Sequence, residues 1–260
     1  MIVASYLSSL DGVEMVEGDV TDVESLKLLF QGCTEVISVH GASKPKNILP
    51  TLFPFLTSED DDPTHSKQIN YVGVQNIVQA SAATTIRRIV RITGNNEKPF
   101  SFFSILLNML GKMAKGWNYE GEQVLRTSST IPYTIIRPGV MRPSIPSTSK
   151  SRALGDNGTS NLKVSAVSYA QIAELCIECL DYDNCDKSTL VAMNVGEGEG
   201  EDTYAPLLEK VQPDNRHYPT SLIDKHKQGA RLGAAILATF LAVLLNGFVS
   251  LLIKLVSLFH

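Results

Sequence analysis

Residues 88–94 read Arg88-Ile-Val-Arg-Ile-Thr-Gly94, and this stretch decides the fold. The β-branched run predicts a strand over 88–92 that stops at Thr93-Gly94. Working backward, residues 67–83 predict a helix with Ile69, Val72, Ile77 and Ala80 near one face. Residues 35–39 predict a strand broken by Gly41, and residues 13–16 predict an earlier one that leaves the sheet at Gly18. Between these two, Thr21-Asp-Val-Glu24 carries a capping-box pattern for a helix that runs to about Phe30. Residues 43–65 hold three prolines ahead of the acidic run 59–62 and predict a surface loop. Working forward, residues 102–113 and 119–126 predict helices, and residues 133–136 predict a strand stopped by Arg137-Pro138-Gly139. A helix over 168–180 and a strand over 189–195 complete the series. Strands alternating with helices imply an α/β fold, a mainly parallel sheet with helices on both faces. Ligands bind such sheets at the carboxyl ends of the strands. Those ends carry Gly18-Asp19, His40-Gly41-Ala42, Thr93-Gly94 and Arg137-Pro138-Gly139.

Composition narrows the function. The chain has 260 residues, 43% of them apolar, enough for one domain and an appendage. With 23 bases against 27 acids the net charge is −4, which argues against a nucleic-acid binder. Four cysteines do not make a disulfide framework. Cys176 and Cys179 share an apolar helical stripe with Ile172, Leu175 and Leu180, so they read as core, and no metal site is expected. No G-x-S-x-G occurs, which disfavours a nucleophile elbow. His40 ends a strand at the ligand rim and reads as a structural histidine, whereas His65, His217 and His226 lie in polar stretches and read as solvated.

Residues 232–253 run LGAAILATFLAVLLNGFVSLLI without a charge. At 1.5 Å per residue they reach about 33 Å, against about 30 Å of bilayer hydrocarbon. A single C-terminal transmembrane anchor is expected. Lys225, Lys227 and Arg231 precede it and Lys254 follows, which keeps the globular part on the cytosol-like side. Gly229 and Gly233, with Ala234, Ala238 and Ala242, give a small-residue stripe of the kind used in homo- or hetero-oligomeric helix pairing. The expected organisation is a domain over 1–202, a polar linker over 203–228 and a membrane anchor over 229–260.

Four motifs, in order over residues 13–195, resemble the atypical NAD(P)-binding branch of the short-chain dehydrogenase/reductase superfamily, the NmrA-like proteins and their plastid relatives. They are Val16-Glu-Gly-Asp-Val-Thr-Asp22, Asn70-Tyr-Val-Gly-Val-Gln-Asn76, Tyr133-Thr-Ile-Ile-Arg-Pro-Gly139 and Val167-Ser-Tyr-Ala-Gln-Ile-Ala173. The resemblance implies a Rossmann-like, doubly wound parallel sheet and a bound NAD(P), with the choice between NAD and NADP left open. It places Asp19 and Val20 beside the adenine, and Gly41 and Ala42 along the adenosine ribose. It places Thr93 near the catalytic serine or threonine position, and Pro138 and Gly139 at the nicotinamide. It is compatible with a plastid location.

Two departures qualify the resemblance. No glycine-rich phosphate loop occurs, and only about a dozen residues precede the strand at Val13, so the sheet is expected to be N-terminally incomplete and the chain truncated. The catalytic Tyr-x-x-x-Lys is also displaced. Counting back from the helix glutamate matched by Glu122, the Lys position is Asn118 and the Tyr position is Ala114. Tyr119 lies one residue on, but its i+4 partner is Gln123, which supplies no charge to lower a phenol pKa; Lys112 and Lys115 are nearby in sequence. Two functions fit. One is a membrane-anchored oxidoreductase moving hydride between nicotinamide and a carbonyl or quinone-like substrate, with Thr93 and Tyr119 as candidate catalytic residues. The other is a non-catalytic redox-sensing or assembly scaffold.

Overall fold

Side chains alternate across a strand, so Ile89 and Val90 face opposite sides of the sheet. Both are fully buried, which makes their strand central and requires helices on each face. The computed structural model describes residues 10–42, 58–144 and 151–257. Its strands are β1 (Glu35–Ser38), β2 (Arg88–Ile92), β3 (Tyr133–Pro138), β4 (Val140–Arg142), β5 (Ser151–Gly155), β6 (Ala166–Ser168) and β7 (Ser188–Val195). Its α-helices are α1 (Val23–Leu29), α2 (Gly73–Ala82), α3 (Phe102–Leu110), α4 (Ala114–Ser128), α5 (Tyr169–Glu178), α6 (Ala205–Leu208) and α7 (Ile223–Ser257). A π-helical turn over Gln68–Val72 leads into α2. The main sheet runs β1-β2-β3-β7-β5, with the first four strands parallel. β5 closes the far edge antiparallel to β7, and β4 pairs with β6 in a separate parallel ribbon.

On one face Leu26 and Phe30 near α1, Val74 and Ile77 of α2, and Leu125 of α4 pack on Ile89 and Ile135. On the other, Ile172, Leu175 and Cys176 of α5 and Leu208 of α6 pack on Val90, Ile136 and Leu190. The sheet is thus doubly wound and Rossmann-like. Cys176, Cys179 and Cys185 are buried thiols of that second core, and among the described residues no cluster of His, Cys, Asp and Glu is arranged to hold a metal.

Several expectations change. Residues 13–16 form no strand, and Val16 is 54% exposed. β1 is the sheet edge, and no described strand, residues 13–16 included, pairs along its outer side. The α1 cap is Asp22, whose side chain accepts the Glu24 N–H, while Thr21 donates both its N–H and its hydroxyl to Asp19. The short strands β4, β5 and β6 carry weak local signals, and β5 is held by its neighbour β7. Residues 203–228 were expected as a polar linker, yet Tyr204, Leu208, Val211, Tyr218 and Leu222 are all buried in the domain. An apolar anchor every few residues is enough to bind such a segment, although its average composition is polar. His65 and His226 are buried too: His226 shares its ring nitrogens between Asn108 and the Asn96 carbonyl.

The last helix begins inside the domain. His226, Ala230 and Ala234 of α7 are buried, and Ala230 and Ala234 pack with Met109, Met113 and Trp117. Beyond Leu237 the helix leaves the protein surface. It is the one described helix long and apolar enough to cross a membrane, and only 6% of its apolar window is buried.

Candidate functional site

The carboxyl ends of β1, β2 and β3 converge on α4. At the centre lies Glu122, fully buried on α4. Arg137, at the end of β3, donates to both its carboxylate oxygens, and Arg126, one turn along α4, reaches it at 3.3 Å. Thr93 Oγ1 donates to Glu122 at 2.6 Å and Asn96 Nδ2 does so at 3.1 Å. Burial alone would raise the Glu122 pKa, but the two guanidiniums outweigh it and hold the carboxyl at about 2. Arg137 also binds Glu97 and the Gly158 carbonyl, while Arg126 bonds Thr189 and pairs with Asp214. Tyr218 is held between the Arg126 and Arg216 guanidiniums, each 3.8 Å from its ring centre. This network balances its charges and clamps the ends of β2 and β3 to α4.

A second cluster does not balance. Arg91 of β2 is 1% exposed and points toward α4. Its Nη1 donates to Ser38 Oγ at 2.9 Å and meets the His40 ring, and its Nη2 donates to Asn118 Oδ1 at 3.3 Å. Its Nε has no partner, and no carboxylate pairs with it among the described residues. Burial lowers its pKa to about 10, partly opposed by the charge of Glu122, so it stays a cation. His40 is pushed down to about 3 by burial and then by Arg91, so its ring is neutral. With the Ile69 carbonyl 3.1 Å from Nε2, that nitrogen carries the proton and Nδ1 accepts from Arg91 and Ser38. Asn118 is the position at which the family's lysine was expected. The structure supplies a cation at that place from a different element, β2.

Lys115 is the other basic group at the rim. Its Nζ donates to the Asn95 carbonyl at 2.7 Å and lies 3.3 Å from where a Cβ on Gly94 would sit. Burial lowers its pKa to about 8, with Glu122 opposing and Arg137 assisting. Lys112 is turned away and pairs with Asp62.

The remaining expected site residues separate. Gly41 is exposed with open space around a would-be Cβ, and the Ala42 N–H donates to Asn70 Oδ1 at 3.3 Å. Val20 packs on Gly73, and its carbonyl accepts from Asn76, while Asp19 is exposed and acidified by its bonds from Thr21. Gly139 is glycine because Ser165 presses on it: a Cβ there would sit 2.2 Å from the Ser165 carbonyl oxygen. Pro138 is half-buried at the end of β3. Tyr119 is fully buried, and its hydroxyl donates to the Pro219 carbonyl at 2.7 Å. Burial and then the charge of Glu97 push its pKa up to about 12. Thr93 and Tyr119 are therefore not brought together as a pair. Each is committed to a different structural partner. Arg137 was named at its strand end, but Arg91 and Arg126 were not singled out from sequence; for Arg91, an arginine inside a strand that must be buried on both faces was the available signal.

The rim has features that fit a dinucleotide. Gly41 leaves the backbone open to close approach. Arg91 holds a buried cation against His40, and Lys115 brings an ammonium to the turn after β2.

Comparison with known proteins agrees. The sequence pattern of a family described as NAD(P)H-binding matches residues 4–183. Similar curated proteins include an uncharacterized chloroplastic protein of Arabidopsis thaliana, 25% identical over 203 residues, covering 73% of this chain and 58% of that one. The chloroplastic protein TIC 62 of Oryza sativa is 29% identical over 212 residues, covering 79% of this chain and 40% of its own length. The chain thus spans only part of these relatives. Among solved structures, an oxidoreductase of Lactococcus lactis superposes with a TM-score of 0.55 at 15% identity, covering 81% of this chain and 83% of that one. A short-chain dehydrogenase/reductase of Veillonella parvula in complex with NADP superposes at 0.51 with 14% identity, covering 75% and 77%. At these identities the structures speak for the fold alone. The chain belongs to the NAD(P)H-binding family.

Proposed function

We propose that the domain binds NAD(P) across the carboxyl ends of β1, β2 and β3 while α7 anchors it in a membrane, in a plastid as its chloroplastic relatives are. The observation that carries the binding reading is Arg91. A buried cation without a counter-charge costs several kcal/mol and is retained where function needs it. In this reading Asp19 and Val20 border the adenine, Gly41 and Ala42 the adenosine ribose, and Pro138 and Gly139 the nicotinamide. When bound, the dinucleotide supplies or accepts hydride. Lys115 Nζ, beside Gly94, is the group of this chain that holds a transferable proton there. It is protonated below about pH 8 and loses that proton above it. Reduction of a carbonyl or quinone-like substrate is then expected to slow as the pH rises through about 8, and Lys115→Met is expected to abolish that pH dependence.

A second reading, binding without turnover in a redox-sensing or assembly scaffold, is favoured by the engagement of Thr93 with Glu122 and of Tyr119 with Pro219. Calorimetric titration of the full chain in detergent with NADPH and NADH tests both. Saturable binding of one or both is expected, and Arg91→Met is expected to weaken it at least tenfold without lowering the melting temperature, since the change removes an unbalanced buried charge. Absence of binding by either nucleotide would sink the cofactor reading. Binding with no turnover of carbonyl or quinone acceptors would select the scaffold.

A further inference from the structure

We propose that α3 is a second membrane contact, lying in the lipid headgroup interface beside the point where α7 enters the bilayer. This rests on the reading of α7 as a membrane span. From Pro99 to Gly111 the chain carries no charged residue. Phe102, Phe103, Leu106, Leu107 and Leu110 recur at helical spacing and share one face of α3. That face is bare: Phe102 is 73% and Phe103 69% exposed, and Phe100 just ahead of the helix is exposed as well. Single exposed apolar residues are ordinary, but a continuous stripe over a whole helix marks a surface that meets something apolar.

The occupant follows from where α3 is fixed. Its inner face is docked on α7 with almost no gap: a Cβ on Gly233 would sit 2.4 Å from Ile105 Cγ2 and 2.8 Å from Met109 Sδ. A Cβ on Gly229 would sit 2.9 Å from the Pro99 carbonyl oxygen. The small residues that suggested pairing between membrane helices are therefore used, at Gly229 and Gly233, to seat α3. These contacts coincide with the start of the uncharged run at Leu232, so the bare stripe lies level with the first turn of the span. Exposed Lys98, Lys225 and Arg231 surround that level with positive charge, suited to anionic headgroups. Phe and Leu are the usual side chains on the lipid-facing side of a helix that lies in the interface. The apolar surface of α3 is continuous with the unburied apolar surface of α7, and a bilayer covers both at once.

Spin-label depth measurements on the full chain in vesicles containing anionic lipid test this. Cys33 is the one exposed cysteine among the described residues and is replaced by Ser. Single labels are then placed by Phe103→Cys, by Val243→Cys in the span, and by Leu28→Cys on α1, with Leu107→Cys as a repeat for α3. Collision with oxygen, which partitions into lipid, is compared with collision with a water-soluble nickel chelate. The labels at 103 and 107 are expected to favour oxygen as the label at 243 does, with 28 favouring nickel. If 243 favours oxygen while 103 and 107 match 28, α3 lies in water and the proposal falls, but the span stands. If 103 and 107 are shielded from both reagents, a protein or a second copy covers the stripe and the proposal falls. If 243 itself favours nickel, the span reading fails and takes the proposal with it.

Discussion

Arg137→Met is expected to destabilise the domain by about 3–5 kcal/mol, the usual consequence of removing one partner of a buried ion pair. Glu122 and Arg137 both have fully buried side chains, so water cannot replace the lost guanidinium. Arg126 remains, but at 3.3 Å and already engaged with Thr189 and Asp214. Glu97 keeps only Arg216. In a thermal melt of the full chain in detergent, the loss corresponds to a fall of roughly 10–15 °C. Combining it with Glu122→Leu is expected to recover part of the loss, because two apolar side chains need no counter-charge. A double variant no more stable than the single would show that the pair contributes through hydrogen bonds to Thr93 and Asn96 rather than through charge. The same pair sets the acid limit. The Glu122 pKa is depressed in the folded state, from 4.5 to about 2. Its contribution is therefore complete above about pH 4.5 and disappears as the pH falls through about 2, some 3 kcal/mol in all. Glu122→Gln is expected to flatten the stability profile across that window.

Gly121→Ala is expected to cost roughly 3 kcal/mol, the upper end of what one added methyl does in a packed interior. A Cβ at Gly121 would sit 2.2 Å from the Asn70 carbonyl oxygen and 3.2 Å from Val74 Cγ2. The obstacle is backbone, so no rotamer change relieves it. α4 must back away from the π-helical turn, and Asn70 must move with that turn. Asn70 receives the Ala42 N–H, so the displacement reaches the rim of the site. Lower stability and weaker nucleotide binding are expected together. Gly41→Ala makes the contrast. Among the described residues nothing lies within 4 Å of a Cβ there, so stability is expected to stay within about 0.5 kcal/mol of the parent while nucleotide affinity drops. Equal affinity in Gly41→Ala and the parent would place the ligand elsewhere.

What the sequence revealed depended on how local each signal was. Residues 88–92 and 133–136 were legible because a strand buried on both faces must be apolar along most of its length, and few other elements look like that, although the second strand runs on to Pro138. Residues 13–16 have the same local character, but a strand exists only with a partner, and they pair with no described strand. The binding of residues 203–228 to the domain was hidden because five buried apolar anchors are diluted among prolines, charges and amides. The loss of the Tyr-x-x-x-Lys pattern was plain from spacing. The cation held against Asn118 was not: Arg91 lies 27 residues before it, and only the packing of β2 under α4 brings them together. The same holds for Lys115, whose face on α4 was open until the structure placed it at Gly94.

The continuity of α7 has a mechanical consequence. The helix starts at Ile223, where Glu120 caps the entry by accepting the Leu222 and Ile223 N–H groups, and it runs unbroken to Ser257. No hinge separates the domain from the apolar end of the helix. Thirty-five residues at 1.5 Å make one rod of about 52 Å, rooted in the fold at one end. With that rod in a bilayer, the domain stands like a turret on a fixed mast rather than swinging on a leash. Its height and heading are set by the tilt of the helix, so encounters with other residents of the same membrane become a search in two dimensions at one constant elevation.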